Sequence, residues 1–364
     1  YIEASPNGRW IHAREWPIGI ELTLTIDDPG TPQPVDYTTT ATMAQAPWNP
    51  GDPNDIVADF AWPEALGLQP GFVLTAAGNN TTKTLTISSL QVTGLDKQAD
   101  TVSGTGTSGS QIQVCANVPN RCITRWVTAD ENGAWLANYH EPGTGIDDPD
   151  TFDLQPGSNG WAAEYEEDSD RTWYDWRVLN PFVEASPSGD WVHAREWPIG
   201  TVITLTIDNL NTPEPVDYTT TATMAQAPWN PGDPNDIVAD FDLQGYDFKA
   251  GDVIMATGGD TSKILIVSGF EVTDFDVAND LVSGIGTAGA QLQVCANVPN
   301  NCITRWVTPD ASGDWVADFH NPGTGNDDPD AFDLIRTTNG WAAEYDEDTD
   351  RTWHDWSVPK PNFG

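Results

Sequence analysis

Nowhere in the 364 residues does an apolar run approach the ~18 positions that a membrane-spanning helix requires, so membrane insertion is not among the expected roles. Basic residues are scarce as well: 15 lysines and arginines stand against 55 aspartates and glutamates, a formal net charge of -40. So anionic a surface repels phosphate, which excludes nucleic acid and anionic lipid as partners and makes cations the natural ones. The sequence contains no G-x-S-x-G elbow, no H-E-x-x-H pair and no phosphate-binding glycine loop, so nothing in it points to an enzyme. Helix-forming stretches are missing too. Pro, Gly, Asn and Asp interrupt the chain every 8 to 12 residues or so, and the Thr, Val and Ile runs between them favour strands. Only Thr42 to Ala46 has any helical character. The N-terminus, Tyr1-Ile2-Glu3-Ala4-Ser5-Pro6, lacks the pattern of a signal peptide, as expected of a mature or excised exported chain.

What the chain has in abundance is tryptophan, with 17 residues, and self-similarity. Trp16-Pro17-Ile18-Gly19 returns as Trp197-Pro198-Ile199-Gly200, an offset of 181, and Gly71 returns as Gly251, an offset of 180. Residues 1–180 and 181–364 are therefore near copies. The lost residue falls between Phe60 and Gly71, where the copies diverge, as a tolerant surface loop would. A weaker duplication lies inside each half. Gly200 to Ile207, Tyr218 to Met224, Ile237 to Phe241 and Gly251 to Ala256 are answered by Gly289 to Val294, Ile303 to Thr308, Trp315 to Phe319 and Trp341 to Tyr345.

The second part of each half is the most informative. Gln111 to Val114 and Ile123 to Thr128 alternate with the period of a half-buried strand and flank the loop Asn117 to Arg121, which predicts a hairpin. Cys115 and Cys122 stand where it closes, as Cys295 and Cys302 do in the copy. A cross-strand pair falls within the reach of a disulfide, so two hairpin disulfides and an oxidising compartment are expected. Val282, Ser283, Gly284, Gly286 and Gly289, followed by Asp310, Gly313 and Trp315, form a V-S-G-x-G-T-x-G opening and a D-x-x-G-x-W turn. This pattern, over about 80 residues of each copy, resembles the bacterial immunoglobulin-like repeat modules of secreted and cell-surface proteins. The resemblance implies an extracellular spacer or adhesive stalk without catalytic residues. The expected fold is all-β, with almost no helix: Ig-like β-sandwiches in an A-B-A-B array over 1–98, 99–180, 181–278 and 279–364. Asp96 to Asp100 and Leu179 to Pro181 would be the short joints of a semi-rigid rod.

Several constellations are candidates for binding. Glu166, Asp168 and Asp170, and their copies Asp346, Asp348 and Asp350, cluster hard oxygen ligands in a turn, as do Asp147 with Asp150 and Asp327 with Asp330. Calcium is the ion such oxygens suit, and the competing reading is a solvated acidic turn that keeps the chain soluble. Beyond calcium, no cofactor is indicated. Trp48, Trp229, Trp173, Trp176, Trp353 and Trp356 could form platforms for sugar rings, against the alternative that they fill cores or seams. Alternation puts Trp173 with Asp175 on one face and Tyr174 with Trp176 on the other. His12, Arg14 and Trp16 would share a face opposite Glu15, which suits a stacked structural ladder better than catalysis. Lys83 and Lys263, matched inside apolar strands, could in principle form isopeptide bonds. Tyr1, Ile2, Pro359, Pro361 and Phe363 lie where one copy would meet the next, so the chain itself is an expected partner, stacking head to tail.

These observations lead to a structural repeat of a bacterial extracellular fibre, sheath or surface layer. The alternative is a tandem adhesin that binds cell-surface polysaccharide through tryptophan and acidic loops. A glycosidase is the weakest reading, because paired carboxylates are unavoidable in so acidic a chain.

Overall fold

Glu21–Asp27 shows how the strands arise: Leu22, Leu24 and Ile26 are buried while Glu21 and Thr23 face solvent, so one edge of the pleat seeks a partner sheet. The same alternation recurs through a computed structural model that describes every residue except 50, 64–65, 120, 232–235, 300 and 360–364. The described residues form strands and turns without helix, and Thr42 to Ala46 is extended rather than helical.

Two compact units emerge, Tyr1–Val178 and Leu179–Gly364. The strands of the first are β1 (Ile2–Ser5), β2 (Trp10–Arg14), β3 (Glu21–Asp27), β4 (Tyr37–Thr42), β5 (Ala44–Gln45), β6 (Ile56–Asp59), β7 (Val73–Gly78) and β8 (Thr81–Thr86). They continue with β9 (Gln91–Asp96), β10 (Thr101–Thr105), β11 (Gln111–Val118), β12 (Arg121–Thr128), β13 (Ala134–Asn138), β14 (Asn159–Tyr165) and β15 (Arg171–Arg177). The second unit repeats the whole series, from Phe182–Ser186 to Arg351–Ser357.

Each unit is a double sandwich. An eight-stranded sheet in the order β12-β11-β14-β15-β1-β2-β6-β5 forms one layer, and two smaller sheets, β4-β3-β7-β8 and β13-β10-β9, supply the other. Two cores result. One gathers Ile2, Ile11, Leu24, Leu74 and Leu85, and the other Val102, Ile112, Val114, Trp135 and Tyr139. The inner duplication read from sequence thus appears as two sandwiches, but one sheet runs through both, joined where β1 pairs parallel to β15 at Glu3↔Arg171 and Ala4↔Thr172. The first core ends at Ile87 and the second starts at Leu90, so β9 belongs with the second sandwich. Asp96 to Asp100, read as a joint, instead closes the β9–β10 hairpin.

Both disulfides are present, Cys115–Cys122 and Cys295–Cys302, with Cα atoms 5.6 and 5.7 Å apart. The register places Cys115 opposite Thr124 and Cys122 opposite Asn117, so the bridge runs diagonally across the hairpin. The turn is shorter than expected, since β11 and β12 extend to Val118 and Arg121.

Candidate functional site

Because the inner face of the eight-stranded sheet is apolar, its polar and aromatic residues collect on the outer one. Neighbouring strands align Tyr165, Arg171, Glu3, His12 and Asp59 in one row across it. Glu3 is the anchor. Its carboxylate accepts from Arg14 Nε at 2.5 Å and from Arg171 Nε and Nη2 at 2.9 and 2.5 Å, and the residue is only 3% exposed. Burial alone would push this carboxyl up. The His12 ring, with Nδ1 3.7 Å away, and the two guanidiniums outweigh it and hold Glu3 at about 2. Glu184, between Arg195 and Arg351, repeats the clamp and is likewise held at about 2.

Beside the clamp runs a ladder of five rings. Trp161, Trp173, Trp10, His12 and Trp48 follow one another at centroid separations of 4.1, 5.7, 4.5 and 5.2 Å. In the second unit Trp341, Trp353, Trp191, His193 and Trp229 do so at 4.2, 6.0, 4.4 and 5.3 Å. The outermost rung is open: Trp48 and Trp229 are 52% and 51% exposed. In the second unit a cleft of ≈ 370 Å³ lies along the ladder, lined by Glu184, Trp191, His193, Arg195, Trp229 and Asp355 among others. Flat ring faces beside carboxylates and guanidiniums can stack on a sugar and bind its hydroxyls. The ladder read from His12, Arg14 and Trp16 is present around His12, but its tryptophans are Trp10 and Trp48 and not Trp16. Glu15 takes a φ of 68°, which breaks the alternation and turns Trp16 into the core.

The candidate tryptophans divide sharply. Trp48, Trp229, Trp173 and Trp353 belong to the ladders. Trp176 and Trp356, expected as ligand residues, are only 5% exposed and fill the cores, so they cannot meet a ligand. Each faces a glycine across the ladder, Gly160 or Gly340, where a Cβ would collide with the indole. Trp10 and Trp191, absent from the sequence candidates, are rungs instead; their alternation with Ile11 and Val192 was the available signal.

The acidic turns also differ among themselves. Around Asp147–Asp150 the cation is an arginine. Arg125 is 3% exposed and sends its five N–H groups to five backbone carbonyls: Asn138 at 2.8 Å, Thr124 at 3.0 Å, Asp148 at 2.8 Å, Glu141 at 2.9 Å and Asp150 at 2.8 Å. Asp147 accepts from the Trp126 amide, and the carboxylates of Asp148 and Asp150 pair with Arg121. In the copy Arg305 fills the same cage and Asp327 accepts from Trp306, while the Asp330 carbonyl receives Arg305.

The turn between β14 and β15 is different. Oxygens of Glu166, Asp168 and Asp170 lie within 4.8 Å of one another, and those of Asp346, Asp348 and Asp350 do the same. Asp170 accepts the Ile2 amide at 2.6 Å, Glu166 accepts the Thr86 amide at 3.0 Å, and Lys83 donates to Asp168 at 2.7 Å. Burial pushes Asp350 up to about 6, and burial with help from Asp348 pushes Asp346 up to about 7. Lys83 and Lys263 therefore have partners, Asp168 and Asp348, but these are ion pairs. The Asp168 hydrogen bond raises Lys83 above its ordinary value, and an ammonium has no lone pair with which to attack a carboxyl.

Of the end residues, Ile2 is buried in its own core and the Tyr1 ring lies 4.7 Å from the Arg171 guanidinium. Pro359 borders a hollow with Thr273, Phe275 and Arg336, and Pro361 and Phe363 lie outside the described residues.

No family model matches the chain, and no curated protein matches it. Among solved structures, a tetra-tandem repeat from the extending region of a large adhesion protein is 11% identical, with 98% of each chain covered and a TM-score of 0.18. A structure from work on host cell surface retention of a bacterial ice-binding adhesin is 13% identical over 71% of this chain and 90% of that one, at 0.17. The Bacteroides ovatus mixed-linkage glucan utilization protein SGBP-B, in complex with a heptasaccharide, is 10% identical over 86% and 90%, at 0.23.

Proposed function

We propose that the chain is a tandem-repeat segment of an extracellular surface protein, with each unit serving as a self-reinforced building block of a longer array. The observation that carries this reading is duplication at every structural node. Disulfide, arginine cage, glutamate clamp and lysine–aspartate pair all recur in the second unit. A duplicated scaffold that preserves its fastenings is what a spacer requires. Like units repeated along the sequence extend that logic to assembly. Negative-stain micrographs of the concentrated chain test it, with end-to-end oligomers expected and isolated particles at every concentration counting against stacking.

A second reading is favoured by the open rungs Trp48 and Trp229, namely that the same array presents carbohydrate-binding ledges. Binding to a polysaccharide panel should fall at least tenfold when both become Ala, with the melting temperature unchanged. Retained binding would remove the ledges from this role.

A further inference from the structure

The β14–β15 turn carries a feature that the spacer reading leaves unused. Asp170 is fully buried. One of its carboxylate oxygens accepts the Ile2 amide, and the other, Oδ2, is buried without a hydrogen-bond partner. Asp350 repeats this, with Oδ1 on the Val183 amide at 2.6 Å and Oδ2 without a partner. A buried carboxylate oxygen left unpaired is costly, and here it is left so twice at equivalent positions. The neighbouring carboxylates do not relieve it, because they can only accept while ionised.

The charge count is informative. Glu166, Asp168 and Asp170 set three carboxyl groups beside the one lysine Lys83. Asp346, Asp348 and Asp350 stand in the same ratio to Lys263, so each turn gathers more carboxyl groups than lysine charge. The geometry agrees with that count. Two oxygens bound to one calcium at about 2.4 Å lie at most about 4.8 Å apart. The three carboxylates of each turn have oxygens within 4.8 Å of one another.

We propose that each acidic turn binds one calcium ion, held by Glu166, Asp168 and Asp170 in the first unit and by Asp346, Asp348 and Asp350 in the second. The buried Asp170 Oδ2 supplies the innermost ligand, and water completes the coordination on the exposed side. Asp170 holds the start of β1 and Glu166 holds the end of β8, so the ion fastens both strands to the hairpin. Its occupancy is a stability device for the first sandwich of each unit.

The experiment is calcium titration of the full chain by calorimetry, after chelation and in about 0.15 M salt to suppress diffuse binding to the anionic surface. Two ions per chain are expected, with magnesium at least tenfold weaker. Asp168→Asn with Asp348→Asn changes exposed residues and leaves an amide oxygen to accept from Lys83 and Lys263. That pair should weaken calcium at least tenfold, while Asp170→Asn alone, which keeps an acceptor for Ile2, should remove one ion of the two. Circular dichroism confirms that each variant is folded. No saturable binding up to about 10 mM calcium would overturn the proposal, that being beyond the range of extracellular modules. Binding unchanged in the double variant, or equal affinity for magnesium, would overturn it as well.

Discussion

Replacing Glu3 by Gln tests the clamp most directly. The wild-type carboxylate is held at about 2 against an ordinary value of 4.5. A depression of that size corresponds to about 3 kcal/mol of stability for a buried group. The sign follows from the direction. A carboxylate lowered by folding contributes fully above pH 4.5 or so and loses its contribution as the pH falls toward 2. The Glu3→Gln change would also leave Arg14 and Arg171 facing a neutral amide, and breaking one side of a buried ion pair costs about 3 to 5 kcal/mol. Urea unfolding followed by tryptophan fluorescence should therefore put the variant about 3 kcal/mol below wild type at pH 7. As the pH is lowered toward 2.5 or so the gap should close, because wild type loses what the variant never had. The difference between the two proteins cancels the other carboxylates of this acidic chain. A gap that stays constant from neutral to acid pH would show that Glu3 acts by packing and not by charge. Glu184→Gln should behave the same way in the second unit, since Glu184 is also held at about 2.

Other substitutions separate the remaining devices. Arg125→Lys supplies three donors where five carbonyls wait, so it should destabilise the second sandwich by about 3 kcal/mol in urea melts, nearly as much as Arg125→Met. Reduction of the disulfides, each closing a loop with a sequence separation of 7, should lower stability by about 2.5 kcal/mol per bridge and depress the melting point; an unchanged melt would discount the bridges as fastenings. Trp176→Ala should cost about 3 to 5 kcal/mol as a core deletion, whereas Trp48→Ala should stay within about 0.5 kcal/mol, and similar losses at both would contradict their assigned burial.

Sequence alternation revealed the strands because a half-buried pleat imposes its period on residue choice, and the repeat offset revealed the duplication. Alternation also separated Trp173 from Trp176 correctly into two faces. It could not say which face was the core, since both carry aromatics. The decisive residue was Gly160 on the neighbouring strand, whose missing Cβ lets the Trp176 indole lie against the backbone. Pairing between β14 and β15 had to be known before that glycine could be interpreted. Glu15 misled for a related reason: a non-glycine residue at positive φ leaves no mark in composition, yet it reverses the side on which Trp16 falls. The cage around Arg125 was illegible because its acceptors are backbone carbonyls, which every residue type provides. The adjacent aspartates were visible, and a buried guanidinium already supplies the positive charge in that cage.

The placement of the polar residues follows from one weak point in the sheet. Most antiparallel neighbours in the interior of the sheet are joined through longer runs of paired residues, such as the eight pairs between β11 and β12, while the edge pair β5–β6 has two. The parallel junction of β1 with β15 has two, Glu3↔Arg171 and Ala4↔Thr172. So short a ladder would leave two sandwiches hinged on a few hydrogen bonds. The side chains gather there: Arg171 on Glu3, Asp170 on the Ile2 amide, Thr172 on the Ser88 amide, Glu166 on Thr86 and Lys83 on Asp168. Each bond links the B-side hairpin to a strand or connection of the A side, so the seam is held mainly by charge and side-chain hydrogen bonds. The clamp glutamates, held at about 2, hold the seam when ionised, whereas Asp346 and Asp350, pushed up to about 7 and 6, strain it when ionised and bare. Acidity therefore acts on the clamp and on the acidic turn in opposite directions.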